Sequence, residues 1–179
     1  RAARCNLGER RARELAVSAK ILGVKKVHFL GFEDGTLSNN LYHKLAAKIV
    51  ATLKPLRPEI LLTTEPLGVS GHLDHIAVAM AVNYVFDRLP SARLLLQVCR
   101  TEERARAARK YFVYVPPGYR RSDIDLAVDV RPVWDQKVAA MMAHRSQFHD
   151  MRRVLAFARR FPRKEYFLIR AKNSRERRA

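Results

Sequence analysis

The segment Gly71-His72-Leu73-Asp74-His75 follows the apolar run Ile60-Leu61-Leu62-Thr63-Thr64 and precedes a helical pattern over residues 76–89. An apolar run, a glycine-containing loop and a helix, in this order, are typical of a strand–helix unit in an α/β fold. Two imidazoles so spaced at a helix start lie on one face. Neutral imidazole binds zinc and titrates near neutral pH. Taken alone, the pair fits a capping and surface role better, but its setting after a strand favours a ligand site.

Helical and strand patterns alternate along the rest of the chain. Apolar residues recur at helical spacing over 9–22, where Gly23 gives a C-cap signal, and again over 41–53 and 133–149, and residues 101–110 are predicted as a charged helical piece. The predicted strands cover residues 25–30, 59–64, 93–98, 111–115, 124–130 and 165–169. The 124–130 pattern alternates apolar and acidic residues, as a half-buried strand does. This alternation predicts a Rossmann-like three-layer α/β/α domain with a mostly parallel sheet.

Length and composition set limits on the class of protein. The chain has 179 residues, 48% hydrophobic and 29% charged, which predicts one globular domain over residues 1–172 and a charged, disordered tail over 173–179. It has neither a long apolar run nor a leader pattern, so we expect no transmembrane segment and a cytoplasmic location. Cys5 and Cys99 are far apart and predict free thiols, with a long-range disulfide as the alternative.

The formal charge of +18 is the unusual feature of the composition. Such a balance permits an anionic partner such as nucleic acid, a lipid surface or a phosphorylated substrate. The basic residues are mostly arginines spread over the predicted helices, without the interleaved aromatic residues that stack bases. We therefore interpret most of them as solvated helix surfaces and do not expect nucleic acid as the partner.

The site segment and several upstream elements together resemble the LmbE-like, or PIG-L, family of zinc-dependent de-N-acetylases. The upstream elements are Arg11-Ala12-Arg13-Glu14, Leu22-Gly23-Val24, Phe29-Leu30-Gly31-Phe32-Glu33-Asp34-Gly35 and Arg57-Pro58-Glu59. The resemblance covers residues 7–147, and the Gly-His-x-Asp-His element is its specific part. It implies an LmbE-like fold and a hydrolase that removes the acetyl group from an N-acetylated amino sugar or its conjugate.

The resemblance also implies a role for each candidate site residue. His75 matches a Zn²⁺ ligand of the family, and His72 matches the residue that stabilises the oxyanion and can protonate the leaving amine. Arg11 and Asp34 match positions that contact the substrate sugar, although a surface arginine and a turn-forming aspartate are their plain alternatives. Asp74 is expected to support the site by capping the helix or orienting an imidazole, not to bind the metal.

The family's other zinc ligands come from a His-Pro-Asp-Asp motif after its first strand, and this sequence contains no such motif. We therefore expect a carboxy-terminal portion of a deacetylase, lacking the first strand and its metal-binding loop and inactive by itself. A degenerate homologue is the alternative. A portion of this kind would expose a sheet edge, so we expect self-association, which makes a homo-oligomer possible. The alternative function is a non-catalytic basic module that contacts nucleic acid or an anionic surface on the same fold.

Overall fold

A computed structural model of the chain describes residues 7–108 and 114–172. The chain divides into two compact units, one of Arg1–Phe29 with Asp129–Lys164 and one of Leu30–Val128 with Glu165–Ala179. We call these the first and the second unit and describe each by itself. The prediction of one domain over residues 1–172 stays a prediction, and Cys5 and the expected tail over 173–179 fall outside the described residues.

The first unit is helical. It contains α1 (Leu7–Ile21), α6 (Trp134–Met142) and α7 (Phe148–Ala158), with short 3-10 turns at Arg131–Val133 and Arg145–Gln147. The predicted end of α1 is confirmed, since Gly23 has φ +73° and the N–H of Val24 bonds to the carbonyl of Ala19 at 2.9 Å. This is the glycine-dependent hydrogen-bond pattern that closes many helices.

The expected single helix over residues 133–149 is wrong, because the structure breaks it between α6 and α7. At the break, the buried Glu14 carboxylate accepts the backbone N–H of Ser146 at 2.9 Å and its hydroxyl at 2.6 Å. A backbone N–H bonded to a side chain of another helix cannot continue its own helix. The break therefore has a tertiary cause.

The second unit holds a four-stranded sheet and the helices that cover it. Its strands are β1 (Ile60–Thr64), β2 (Leu94–Cys99), β3 (Leu126–Asp129) and β4 (Lys164–Ala171), the last residue of β3 and the first of β4 lying just beyond the unit. Its helices are α2 (Tyr42–Leu53), the four-residue turn α3 (Gly68–Gly71), α4 (Leu73–Arg88) and α5 (Glu102–Ala107), with a 3-10 turn at Arg121–Asp123. The α/β class is confirmed.

The sheet order is β1-β2-β4-β3. β1 and β2 are parallel, with Leu62 opposite Leu96, whereas β2 and β4 are antiparallel, with Leu96 opposite Ile169. The sheet is therefore mixed around β2 instead of mostly parallel. Its core lies where α2 and α4 cover β1 and β2, and its fully buried side chains include Val85, Phe86 and Leu95. The apolar spacing of four in α2 faces this core.

Two strand predictions are corrected. Residues 25–30 form no strand, because a strand needs a partner for its N–H and carbonyl groups and no described segment pairs with them. β3 forms, but all four of its residues are exposed, so it is not half-buried. The expected strand over 111–115 falls mostly outside the described residues, and Tyr114 and Val115 are not in a strand.

Candidate active site

The side chain of His72 caps the amino terminus of α4. Its backbone is extended, with φ −68° and ψ 124°, and its Nδ1 accepts the backbone N–H of Asp74 at 3.1 Å. This is the position and the bond of an N-cap residue. Because a backbone N–H can only donate, Nδ1 of His72 carries the lone pair and the neutral ring has its proton on Nε2.

His75 has the opposite arrangement. Its Nδ1 lies 3.2 Å from the carbonyl oxygen of Gly68. A carbonyl oxygen can only accept, so Nδ1 of His75 carries the proton and Nε2 carries the lone pair. Histidines that bind a metal through one ring nitrogen often donate the N–H of the other nitrogen to a backbone carbonyl, which fixes the tautomer. His75 has this arrangement, with Nδ1 as the donor. His75 is exposed, so its ring is accessible from solvent.

The two rings stack with centroids 5.0 Å apart and an angle of 28° between their planes. The pair therefore offers an N–H donor from His72 and an unprotonated nitrogen from His75 side by side. One of them can donate to an oxygen while the other binds an electrophile. The site therefore combines a hydrogen-bond donor with a nitrogen that can bind a metal ion.

The carboxylate of Asp74 bonds to a distant turn. Its Oδ2 accepts the N–H of Gly35 at 2.7 Å and its Oδ1 accepts the N–H of Leu37 at 3.1 Å. Gly35 has φ +82°, which suits glycine, and Asp34 precedes it as an exposed residue of the same turn. The Asp34 turn is thus held at the start of α4. The cap expected from Asp74 comes from His72.

Arg11, the other candidate substrate contact, lies half-buried on α1 in the first unit. Its neighbour Glu14 accepts a hydrogen bond from Arg10 at 3.1 Å in addition to those from Ser146. These bonds, led by the one from the Ser146 hydroxyl, lower the pKa of Glu14 below its ordinary value. The structure groups His72, His75, Asp74 and the Asp34 turn in the second unit, and Arg11 belongs to the first unit.

Glu65 is a site residue that sequence reasoning missed. It is 1% exposed, and its carboxylate accepts the N–H groups of Leu67 at 2.8 Å and Val69 at 2.5 Å. The hydroxyl of Tyr119 donates to it at 3.1 Å. Burial, together with the Glu65 charge, raises the pKa of Tyr119 to about 12, so this hydroxyl stays a donor. The signal in the sequence was an acid between an apolar strand and a glycine-rich loop.

The loop that follows Glu65 is strained. Val69 has φ +63° and ψ −49°, a conformation that β-branched residues rarely adopt, and Gly68 before it has φ +71°. A Cβ on Gly68 would lie 3.0 Å from the Cβ of His75. The loop therefore packs against the start of α4 closely enough that only glycine fits there.

The described residues do not form a complete metal site. Within residues 7–108 and 114–172, no three His, Cys, Asp or Glu side chains come together in a group that could hold a metal ion. A catalytic zinc site uses about three protein ligands. His75 offers one nitrogen, so these residues alone do not fit a zinc ion. In the same residues, no helix is long and apolar enough to cross a bilayer.

The family model and the curated relatives that match this chain are all deacetylases. Residues 1–86 match the family model described as PIG-L, GlcNAc-PI de-N-acetylase. The diacetylchitobiose deacetylase of Thermococcus kodakarensis is 32% identical over 80% of this chain and 52% of its own length. A probable N-acetyl-alpha-D-glucosaminyl L-malate deacetylase of Bacillus cereus is 29% identical over 79% of this chain and 59% of its own length. The chain thus spans somewhat more than half the length of these curated relatives.

Solved structures show the same fold. The N,N'-diacetylchitobiose deacetylase of Pyrococcus horikoshii aligns with a TM-score of 0.65 over 92% of this chain and 64% of its own, at 20% identity. A conserved protein of Thermus thermophilus aligns with a TM-score of 0.59 over 89% of this chain and 72% of its own, at 22% identity. The family match over residues 1–86 and the deacetylase relatives make this chain similar to the PIG-L family of de-N-acetylases.

Proposed function

We propose that the protein to which this chain belongs removes the acetyl group from an N-acetylated amino sugar or a small conjugate of one. The observation that carries this proposal is the pair of stacked imidazoles with opposite tautomers. Enzymatic amide hydrolysis uses a hydrogen-bond donor for the oxygen that becomes negative and a base or a ligand-held metal ion that activates the water. His72 and His75 offer these two functions at adjacent positions.

In the reaction, water adds to the acetamide carbon, the carbon–nitrogen bond breaks, and acetate and a free amine leave. Nε2–H of His72 would donate to the carbonyl oxygen as negative charge develops on it. The same ring caps α4 through Nδ1, which accepts the N–H of Asp74. This supports Nε2–H of His72 as the hydrogen-bond donor.

His75 would be a metal ligand through Nε2, and the zinc that the family resemblance implies would supply Lewis acidity. Since the described residues do not complete a zinc site, further ligands would have to come from other residues. We assign no reaction step to the metal. For the same reason we propose that the 179 residues by themselves do not catalyse deacetylation.

The relatives indicate the substrate class. They are named for diacetylchitobiose, N-acetylglucosaminyl malate and N-acetylglucosaminyl inositol, which share an N-acetylglucosamine unit. We propose the same small-molecule class here, with the exposed Asp34 as a contact for sugar hydroxyls, since its turn is held by Asp74 at the start of α4. Arg11 is proposed as a second contact on the family resemblance alone. A cytoplasmic location and a homo-oligomer also stay predictions.

The test uses the gene product that carries this chain. Acetate release from N,N'-diacetylchitobiose and bound zinc are measured for the wild type, His72→Ala and His75→Ala. We expect His72→Ala to lower turnover with zinc unchanged and His75→Ala to lower both. Full turnover in His72→Ala would remove its proposed role. Stoichiometric zinc in the 179-residue chain that disappears with His75→Ala would mean that these residues do complete a metal site.

The alternative of a basic, non-catalytic module is not favoured, because the relatives are deacetylases. Salt-sensitive binding of unrelated nucleic acids, without any release of acetate, would be the result in its favour.

A further inference from the structure

The buried carboxylate of Glu65 binds the residues on either side of Gly68 in the loop before α4. It accepts the N–H of Leu67 at Oε2 and the N–H of Val69 at Oε1, and Gly68 lies between these two residues. A carboxylate that accepts several N–H bonds at a buried position holds them strongly, because such bonds are charge-assisted. The orientation of the Gly68 residue is therefore fixed from both sides.

The loop conformation depends on such an interaction. A β-branched residue at positive φ is strained and persists only where the surroundings enforce that conformation. Val69 is in this conformation, with φ +63° and ψ −49°. Its N–H bond to Glu65 is the contact that compensates the strain.

The loop in turn sets the ring of His75. The carbonyl of Gly68 accepts from Nδ1 of His75 at 3.2 Å, and the glycine packs directly against the His75 side chain. We propose that Glu65 is a positioning residue that fixes the tautomer of His75, with the proton on Nδ1 and the lone pair on Nε2, through the Gly68 carbonyl. The role of that lone pair as a metal ligand rests on the proposed function, whereas the tautomer does not.

Tyr119 extends the chain of contacts to the far side of Glu65. Its hydroxyl donates to Oε2, and its backbone is held by bonds to Arg100 at 2.9 Å and from Glu102 at 2.9 Å. Both bonds join Tyr119 to the segment that follows β2. The position of His75 thus depends on a segment that the sequence places far from it.

The proposal is tested on the tautomer itself. The 179-residue chain, labelled with ¹⁵N, is examined by long-range ¹H–¹⁵N correlation NMR at pH 8. The His75 signals are identified by their loss in His75→Gln. We expect the wild-type ring to be mainly in the Nδ1–H form, which is the opposite of the preference of a free histidine in water. A wild-type ring mainly in the Nε2–H form would overturn the proposal.

The decisive variant is Glu65→Gln, which keeps the shape of the side chain. An amide has one accepting oxygen, and its NH₂ group would face the second backbone N–H. We expect the Nδ1–H fraction of His75 to fall below one half. Glu59→Gln is the matched control, since it removes the same charge from an exposed residue just before β1, and it should leave the fraction unchanged. An unchanged fraction in a folded Glu65→Gln chain would overturn the proposal.

A second variant covers the case in which Glu65→Gln does not fold. Glu65→Asp keeps the charge but shortens the side chain by one methylene, so its carboxylate should not hold the N–H groups of both Leu67 and Val69, and the Nδ1–H fraction should fall. A lowered fraction supports the proposal, and an unchanged one overturns it. Zinc content and acetate release are measured separately in the gene product. Their absence would contradict the proposed function while leaving the tautomer result standing.

Discussion

His72 combines a structural and a chemical function in one ring. Nδ1 caps α4 by accepting the N–H of Asp74, and the proton is left on Nε2. A substitution of His72 by alanine would therefore lower both the stability of the fold and the catalytic activity. Asparagine separates the two functions, because it is among the best N-cap residues and has no imidazole.

We expect His72→Ala to lower the free energy of unfolding by about 1 kcal/mol through loss of the cap. His72→Asn should keep the wild-type stability. In the gene product, both variants should lose turnover on the order of 100-fold, the usual cost of removing one oxyanion donor. Urea unfolding and acetate release measure the two effects. Wild-type turnover in His72→Asn would show that the ring acts only as a cap.

Glu14 in the first unit makes the stability depend on pH. Its pKa is lowered from an ordinary value of about 4.5 by the Ser146 hydroxyl and N–H and by Arg10. A carboxyl with a lowered pKa stabilises the fold above its unfolded-state pKa, and that stability is lost as the pH falls through the folded-state pKa. The wild type should therefore exceed Glu14→Gln in stability at pH 6, and the difference should shrink below pH 4.5.

Thermal unfolding at a series of pH values measures this difference. Glu9→Gln is the control, because Glu9 is an exposed carboxylate on the same helix and the substitution removes the same charge. A gap between the wild type and Glu14→Gln that stays constant down to pH 3 would contradict the assignment.

At the scale of elements, Asp74 joins α4 to the turn that carries Asp34. Both bonds span long sequence separations, 39 residues to Gly35 and 37 to Leu37. Hydrogen bonds to a charged acceptor contribute more than neutral ones, and this acceptor is partly buried. The turn is therefore held mainly by one side chain of the neighbouring helix.

Asp74→Ala should lower the free energy of unfolding by about 1–2 kcal/mol. It should also speed hydrogen exchange at the amides of Gly35 and Leu37, because both lose their acceptor. Asp87→Ala, at the other end of α4, is the control, since Asp87 forms only a half-exposed ion pair with Arg170 and should change little. Unchanged exchange at Gly35 and Leu37 would show that the turn does not depend on Asp74.

For the whole molecule, the charge of +18 is the dominant electrostatic feature. The ion pairs among the described residues are largely exposed, as with Arg121 and Glu103 or Arg131 and Asp129, and such pairs contribute little. Repulsion among the excess cations therefore outweighs them. Added salt screens this repulsion over distances of about 10 Å at 0.1 M.

The melting temperature of the 179-residue chain should rise by several degrees between low salt and 0.3 M sodium chloride, about twice physiological ionic strength. The rise should be smaller in a triple variant with Arg153→Gln, Arg159→Gln and Arg160→Gln, which are exposed residues within α7 and just after it. Differential scanning calorimetry gives both values. A melting temperature that falls with salt would mean that ion pairs outweigh the repulsion.

The sequence by itself determined the local elements and the site segment. Apolar spacing gave α1, α2 and α4, Gly23 gave the end of α1, and the histidine pair pointed to the carboxyl end of β1. These features depend on backbone torsion angles and on which face of an element is apolar. Such properties belong to neighbouring residues, so they can be read without knowing the fold.

Only the tertiary structure decided the features that need a distant partner. Residues 25–30 have the composition of a strand but find no pairing segment among the described residues, and the 133–149 helix breaks where Ser146 bonds to Glu14. The tautomers of the two histidines likewise follow from which backbone group each ring contacts. A hydrogen bond requires both partners in place, and spacing along the chain does not specify the second one.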